Sequence, residues 1–395
     1  MDAPHVARLY RVDRTVPDQQ AAGLIELAAQ AAREELAPHA AAEEAAGTFP
    51  RETVRALGKA GLLGLPYPRR YGGGGQPYQV YLQVLEELAA GRLTVALAVG
   101  VHTLACHPLA HHGTEEQRAE HLPAMVGGEL LGAYCLSEPD AGSDAAALRT
   151  TATREGEEYR IDGVKSWITH GGHADFHTVM ARTGAAGPAG VSALLVPGGV
   201  PGLVARAPER KMGLNGSPTA QLYFDGVRVP VTARIGAEGE GLPIALEALD
   251  SGRLSIAACA VGLARAAVDT AWHRTRERRE VLGPRHPEVL AAEALLVDAA
   301  TAVEAGRALY LAAARRRDAG RPFRRQAAMA KLFCTDAAMR VTGDAVQALG
   351  PEGASARLPL ERFLREAKVL QIVEGTNQIQ RLVIARGLHQ EAGAA

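Results

Sequence analysis

One carboxylate stands out for its surroundings. Glu374 follows Leu370-Gln371-Ile372-Val373 and precedes Gly375-Thr376-Asn377-Gln378-Ile379-Gln380-Arg381. A carboxylate emerging from an apolar run is partly desolvated, which raises its pKa toward the range where it can take a proton at neutral pH. Gly375 lets the backbone turn, and Thr376 can cap a short helix running on through Ile379 and Leu382. Standing alone, Glu-Gly-Thr favours an ordinary boundary carboxylate beside a helix cap, so the rest of the chain must decide.

Three further segments carry groups that could hold a ligand. Ala133-Tyr134-Cys135-Leu136-Ser137-Glu138-Pro139-Asp140-Ala141-Gly142-Ser143-Asp144 reads as an apolar strand opening into a loop that can offer hydroxyls and backbone N–H groups. In Lys165-Ser166-Trp167-Ile168-Thr169-His170-Gly171-Gly172, one of only two tryptophans stands beside a hydroxyl at a strand end, a pairing able to flank a planar group or simply to fill a core. Arg276-Glu277-Arg278-Arg279-Glu280-Val281-Leu282-Gly283 ends a long helix with dense arginine, suited to a phosphate or to the helix dipole. No Gly-x-Gly-x-x-Gly and no Walker sequence is present, and Gly72 to Gly75 reads as a flexible loop.

The elements that must position these residues fall into three zones. Residues from about 20 to 125 read as helices: one over Ala21 to Ala46, a second opening at Phe49-Pro50-Arg51-Glu52, a third near Tyr78 to Ala90 and a buried one over Leu93 to Leu109. From about 130 to 238 the period becomes that of strands. Tyr159 to Lys165 alternates, with Asp162-Gly163 as a hairpin signal, and further strands are expected over 177–181, 191–196 and 220–227. From 239 onward long helices return, over 242–277, 289–319 and 326–349, as in an antiparallel bundle.

Composition narrows the function classes. Net charge is −1 and aromatics are 4% of 395 residues, which offers nothing to nucleic acid or an anionic membrane. Cys106, Cys135, Cys259 and Cys334 are far apart, against a zinc site or disulfide framework and in keeping with a reducing cytoplasm. The first thirty residues show no apolar leader run, and no stretch is expected to reach the length of a membrane span.

Taken in order, the segments resemble the acyl-CoA dehydrogenase family from about residue 20 to 388. The family's middle-domain signature matches Ala133 to Asp144, and its flavin segment matches Trp167-Ile168-Thr169. Its Lys-Met-Gly segment matches Lys211-Met212-Gly213 with Ser217 and Thr219 behind, and its C-terminal signature matches Arg365-Glu366-Ala367-Lys368 through Arg381. The resemblance implies an N-terminal α-helical domain (1–129), a middle antiparallel β-barrel domain (130–238) and a C-terminal four-helix bundle (239–395). FAD would lie between barrel and bundle without a Rossmann fold.

It further implies FAD-dependent α,β-dehydrogenation of an acyl thioester carried by CoA or an acyl carrier protein. Glu374 would remove the α-proton while flavin N5 accepts the β-hydride, the thioester carbonyl being held by the base's own backbone N–H and a flavin hydroxyl. Gly252, before Arg253, leaves empty the slot from which some members supply the base. Ser137, Trp167 and Thr169 match the isoalloxazine lining, Ser143 matches a pyrophosphate contact, and Tyr134 and Gly142 join them as cofactor contacts. Arg279, Gln347, Gly350, Thr376 and Gln378 match positions on the FAD tail, several reaching the FAD of a neighbouring subunit. Asp250 and Arg253 match the thioester mouth, Val99 the pocket floor, and Gly375 the substrate side of the turn. No metal is implied. The partners implied are an electron-transfer flavoprotein or other acceptor and further copies of the chain, as a homodimer or homotetramer in the cytoplasm. An oxidase using O₂ and a non-catalytic binding homologue are the alternatives. The chain departs from the family at Leu282, Leu290, Pro351 and Val373, the first three at the FAD tail or subunit interface.

Overall fold

The computed structural model describes residues 12–184 and 186–394, so the reading of the first thirty residues falls partly on 1–11, outside the described residues. Helix α1 (Gln19–Ala31) starts where Asp18 accepts the Ala21 N–H at 2.8 Å. The single helix expected over Ala21 to Ala46 is broken. A π turn at 32–36 and a 3₁₀ turn at 37–39 separate α1 from α2 (Ala40–Ala46), because Pro38 lacks an N–H and crowds the preceding turn. Then follow α3 (Arg51–Lys59), α4 (Tyr78–Gly91), α5 (Leu93–His112) and α6 (Glu115–Val126).

The middle region is one eight-stranded sheet: β1 (Gly132–Cys135), β2 (Thr151–Glu155), β3 (Glu158–Thr169), β4 (Phe176–Arg182), β5 (Val191–Pro197), β6 (Leu203–Ala205), β7 (Thr219–Pro230) and β8 (Arg234–Ile235). Its order is β6-β7-β3-β2-β4-β5-β8, with β1 beside β4. Most pairings are antiparallel; β1–β4 and β2–β4 are parallel. Asp162-Gly163 is not the hairpin expected there. The β2–β3 turn lies at Gly156, and Gly163 sits mid-strand at a register shift against β7. Its φ of 150° and close approach to Thr150, whose Oγ1 would stand 2.6 Å from a Cβ, explain the glycine.

The C-terminal region comprises α7 (Gly241–Leu282), α8 (Pro287–Asp318), α9 (Arg324–Leu349), α10 (Leu360–Leu370) and α11 (Asn377–Ala394). The first three pack on one another, and α10 and α11 pack on α9. Helices α5 and α7 contain windows of mean hydropathy 1.5 and 1.4, long enough to span a membrane despite the expectation of none. Those windows are 89% buried, since the two helices pack together in the protein core.

Buried charge joins the N-terminal helices to the bundle. Burial pushes the Glu86 carboxyl on α4 up, but Arg14, Arg307 and Arg265 hold it well below the usual range. Arg307 Nη2 lies 2.9 Å from Glu86, Arg265 Nη2 lies 2.8 Å from Glu87, and the Tyr310 hydroxyl donates to Glu86 at 2.6 Å. Two adjacent buried carboxylates persist only with such partners. The sheet is tied on by the Lys211-Met212-Gly213 loop: Arg365 of α10 donates to the Met212 carbonyl at 2.7 Å, and Glu44 accepts the Asn215 N–H at 3.0 Å. All four cysteines are buried and unpaired.

Candidate active site

Glu374 sits in the turn between α10 and α11, at the left-handed φ of 55°, followed by Gly375 at 85°. A non-glycine residue is held there only when its surroundings over-determine it. Lys331 of α9, fully buried, donates to the carbonyls of Gln371 (3.2 Å) and Gly375 (3.0 Å) and to Asn377 Oδ1 (2.8 Å). Gln380 Nε2 donates to the Gly375 carbonyl at 2.7 Å. Thr376 caps α11 as expected, its hydroxyl accepting the Ile379 N–H at 3.3 Å, though the helix is 18 residues long rather than short. The backbone N–H groups of Glu374, Gly375 and Thr376 donate to no described residue. Successive free N–H groups in a left-handed turn form a small concavity for an oxyanion.

The Glu374 residue is part-exposed as a whole, but its carboxylate end is enclosed, and Oε2 is buried with no hydrogen-bond partner. Burial pushes its pKa up to about 7, against the pull of Arg253 and Lys331. A Cβ at Gly252 would stand 2.8 Å from that Oε2. Gly252 therefore lies against the carboxylate, and any larger side chain there would contend for its space.

Tyr134 brings the sheet to this point. It lies buried on β1, donates to the Ala245 carbonyl of α7 at 3.2 Å, and has its phenol pushed well up by burial and then by Glu374. Asp250 pairs with Arg253 on its own helix and with Arg324 at 2.8 Å, and burial raises its pKa. Burial lowers that of Arg253. Val99, expected on the pocket floor, is buried in the helical core, and its neighbour Gly100 lines a small cavity beside Gly252.

Trp167 is not a core residue. The β3–β7 register shifts between Lys165 and Ile168, and this bulge, with φ 61° at Trp167, turns the indole outward to 64% exposure. Beside it Ser166 Oγ is buried without a partner, and Thr169 pairs with Thr219. Ser137 accepts the Ser166 N–H at 2.9 Å through its carbonyl, while Gly142 and Ser143 are exposed on the loop beyond. Glu138 faces inward: it accepts Lys165 Nζ at 2.8 Å and the N–H groups of Arg149 and Thr150, bracing the loop.

Arg279, Gln347 and Gly350 gather elsewhere. Arg279 pairs with Glu293 at 2.7 Å and is 49% exposed, while its neighbour Arg278 donates to the Leu349 carbonyl at 3.0 Å, joining the ends of α7 and α9. Gln347 is sixteen residues beyond Lys331 on α9, roughly 24 Å at the helical rise. Within one chain they therefore do not surround Glu374. Gln378, also exposed, lies on the first turn of α11.

Lys331, Gln380 and Asn377 were not among the expected site residues. The one signal for Lys331 is a lone cation in the apolar run Ala327 to Cys334. Among the described residues no group of three His, Cys, Asp or Glu is placed to hold a metal.

The chain matches three models of the acyl-CoA dehydrogenase: the N-terminal domain over 18–129, the middle domain over 133–227 and the C-terminal domain over 239–389. It is 41% identical over 361 residues to a probable acyl-CoA dehydrogenase, YngJ, of Bacillus subtilis, covering 90% of this chain and 94% of that one. It is 41% identical over 364 residues to a cyclohexane-1-carbonyl-CoA dehydrogenase of Geobacter metallireducens, covering 92% and 96%. The butyryl-CoA dehydrogenase structure from Megasphaera elsdenii superposes with a TM-score of 0.91 at 35% identity, covering 95% and 100%. The chain belongs to the acyl-CoA dehydrogenase family of flavoprotein oxidoreductases.

Proposed function

We propose that this protein is an FAD-dependent dehydrogenase of acyl thioesters, organised as three domains over 1–129, 130–238 and 239–395. The observation that carries this reading is Glu374: an enclosed carboxylate oxygen with no partner, a pKa of about 7, and free N–H groups in its own turn. A base near neutrality beside an oxyanion concavity suits removal of a proton α to a carbonyl. Hydrogen bonds from the Glu374 N–H to the thioester oxygen acidify the α-C–H as the carboxylate takes the proton. Arg253 and Lys331 favour the ionised base, and the Gly375 carbonyl anchors fix its position.

The residues present fit FAD. An indole turned out on a bulge, with the buried unpartnered Ser166 hydroxyl beside it, presents a flat apolar face and a hydrogen-bonding group at one strand end. Tyr134, Ser137, Trp167 and Thr169 would hold the ring system, and Gly142 and Ser143 the pyrophosphate. When bound, FAD supplies the acceptor for the β-hydride. Thr376 and Gln378 lie near the base, whereas Arg279, Gln347 and Gly350 are remote and would serve the FAD tail of a neighbouring copy, making the enzyme a homodimer or homotetramer. An electron-transfer flavoprotein is the proposed acceptor. The unpaired buried cysteines suit the cytoplasm.

The test is anaerobic titration of FAD-loaded protein with acyl-CoA and acyl-carrier thioesters. Loss of the flavin's visible absorbance is expected with at least one; protein that stays colourless when incubated with FAD sinks the reading. Arg279→Ala is expected to weaken FAD retention by about tenfold, the scale of one charge-assisted hydrogen bond. FAD affinity unchanged by equilibrium dialysis would leave Arg279 as a solvated helix end paired with Glu293.

A further inference from the structure

The turn that carries Glu374 is tied down by a carboxylate that the proposed chemistry does not use. Asp336 lies on α9, five residues beyond Lys331, where α10 and α11 pack. Its Oδ1 accepts the side-chain amides of Gln371 and Asn377, each at 2.7 Å. Those two residues stand three before and three after Glu374. Oδ2 accepts Arg381 Nη2 at 3.2 Å, and Arg381 Nη1 donates on to the Asn377 carbonyl at 3.2 Å. One side chain therefore fastens both ends of the turn to a single point on a long helix.

Both amides are held in one orientation. Asn377 Oδ1 accepts the Lys331 ammonium at 2.8 Å, which leaves Nδ2 for Asp336. An ammonium can only donate and an ionised carboxylate can only accept, so this amide cannot reverse. Gln371 is set in the same way. Lys368 Nζ donates to its Oε1 at 2.9 Å, which leaves Nε2 for Asp336. With its ends fixed, the turn closes as the Asn377 N–H donates to the Gln371 carbonyl at 3.0 Å. Between them Glu374 keeps its left-handed φ of 55°, a conformation that persists only when its surroundings over-determine it. Lys331 holds the turn by its carbonyls; Asp336 holds it by its side-chain amides.

We propose that Asp336 is a positioning residue that fixes the aim of the Glu374 carboxylate and of the N–H groups in its turn. Its effect on rate rests on the dehydrogenase reading; its effect on the turn does not. Asp336 makes no hydrogen bond to the Glu374 carboxylate and acts through Gln371 and Asn377.

Two variants separate aim from architecture. Asp336→Ala removes the acceptor for both amides. Asp336→Asn keeps an oxygen able to accept them and gives up only the part-exposed pair with Arg381, a kind of contact worth little in water. Amide hydrogen exchange read by mass spectrometry reports on the turn without any reaction. Asp336→Ala is expected to speed exchange about tenfold in the peptide over 371–380, where the Asn377 and Gln380 N–H groups are bonded, and to leave the rest of the bundle unchanged. Stopped flow on FAD-loaded protein reads the consequence. The limiting rate of flavin reduction is expected to fall about tenfold to a hundredfold, the scale of a misplacement of about 1 Å, while the thioester Kd stays within about threefold. Asp336→Asn is expected to restore both readouts. Turn exchange no faster in Asp336→Ala, a reduction rate untouched by it, or an equal loss in Asp336→Asn overturns the proposal. If no thioester bleaches wild-type flavin, the dehydrogenase reading fails, and the exchange comparison alone decides whether Asp336 holds the turn.

Discussion

Glu374→Gln is expected to keep its flavin and to lose anaerobic bleaching by substrate, the reduction rate falling by about 10²- to 10⁴-fold. The amide preserves the size of the side chain, and Oε2 makes no hydrogen bond that the change would break. What it loses is the ability to take a proton from carbon. The pH dependence follows from the same group. With its pKa pushed up to about 7 by burial, wild-type enzyme gains activity as pH rises through about 7 and the base ionises; the residual rate of the variant is flat across that range. Stability moves the other way. The folded-state pKa lies above the ordinary 4.5, so this carboxyl's favourable contribution is fully present below about 4.5 and is lost as pH rises through about 7. Above pH 7 the Gln variant should therefore melt higher than wild type. Near-normal bleaching by Glu374→Gln in stopped flow would remove Glu374 from the mechanism.

The parts of this site that local sequence encodes were legible, and those made by distant contacts were not. The apolar run before Glu374 and the Gly-Thr after it are neighbours in the chain, so its desolvation, its turn and the Thr376 cap could all be read there. The arrangement of helices, sheet and helices followed from periodicity in the same way. Asp162-Gly163 shows the limit: the dipeptide carries a hairpin signal, yet here the glycine is needed because Thr150 crowds a bulge in a continuous strand. Trp167 could be read as core or as ligand-facing, and only the register shift against β7 decides. Glu138 looked like one more polar loop residue until Lys165, buried beneath it, took its carboxylate. Asp336 meets Gln371 and Asn377 across more than thirty residues, and no spacing rule reaches that far.

Lys331 is the largest of these distant effects, and Lys331→Met is expected to damage both the fold and the pH profile. Methionine matches the length of the lysine stem, so the apolar packing within α9 survives. What disappears is the donor to two backbone carbonyls and to Asn377 Oδ1, in a site with no exposure. Stripping one partner from a buried polar cluster costs about 3–5 kcal/mol, a fall in Tm of roughly 5 °C for a chain of this size. Gln380 still holds the Gly375 carbonyl, so the turn is loosened rather than lost. The second effect is electrostatic. Burial lowers the Lys331 pKa to about 7, but its three acceptors call for the ammonium form, and that charge helps to keep Glu374 ionised. Without it the Glu374 pKa rises further, and the midpoint of the pH–rate profile for flavin reduction moves above 7. A packing defect alone would lower Tm and leave that midpoint in place. A lower melting temperature with an unmoved midpoint would therefore assign Lys331 to the turn's architecture and take it out of the tuning of the base.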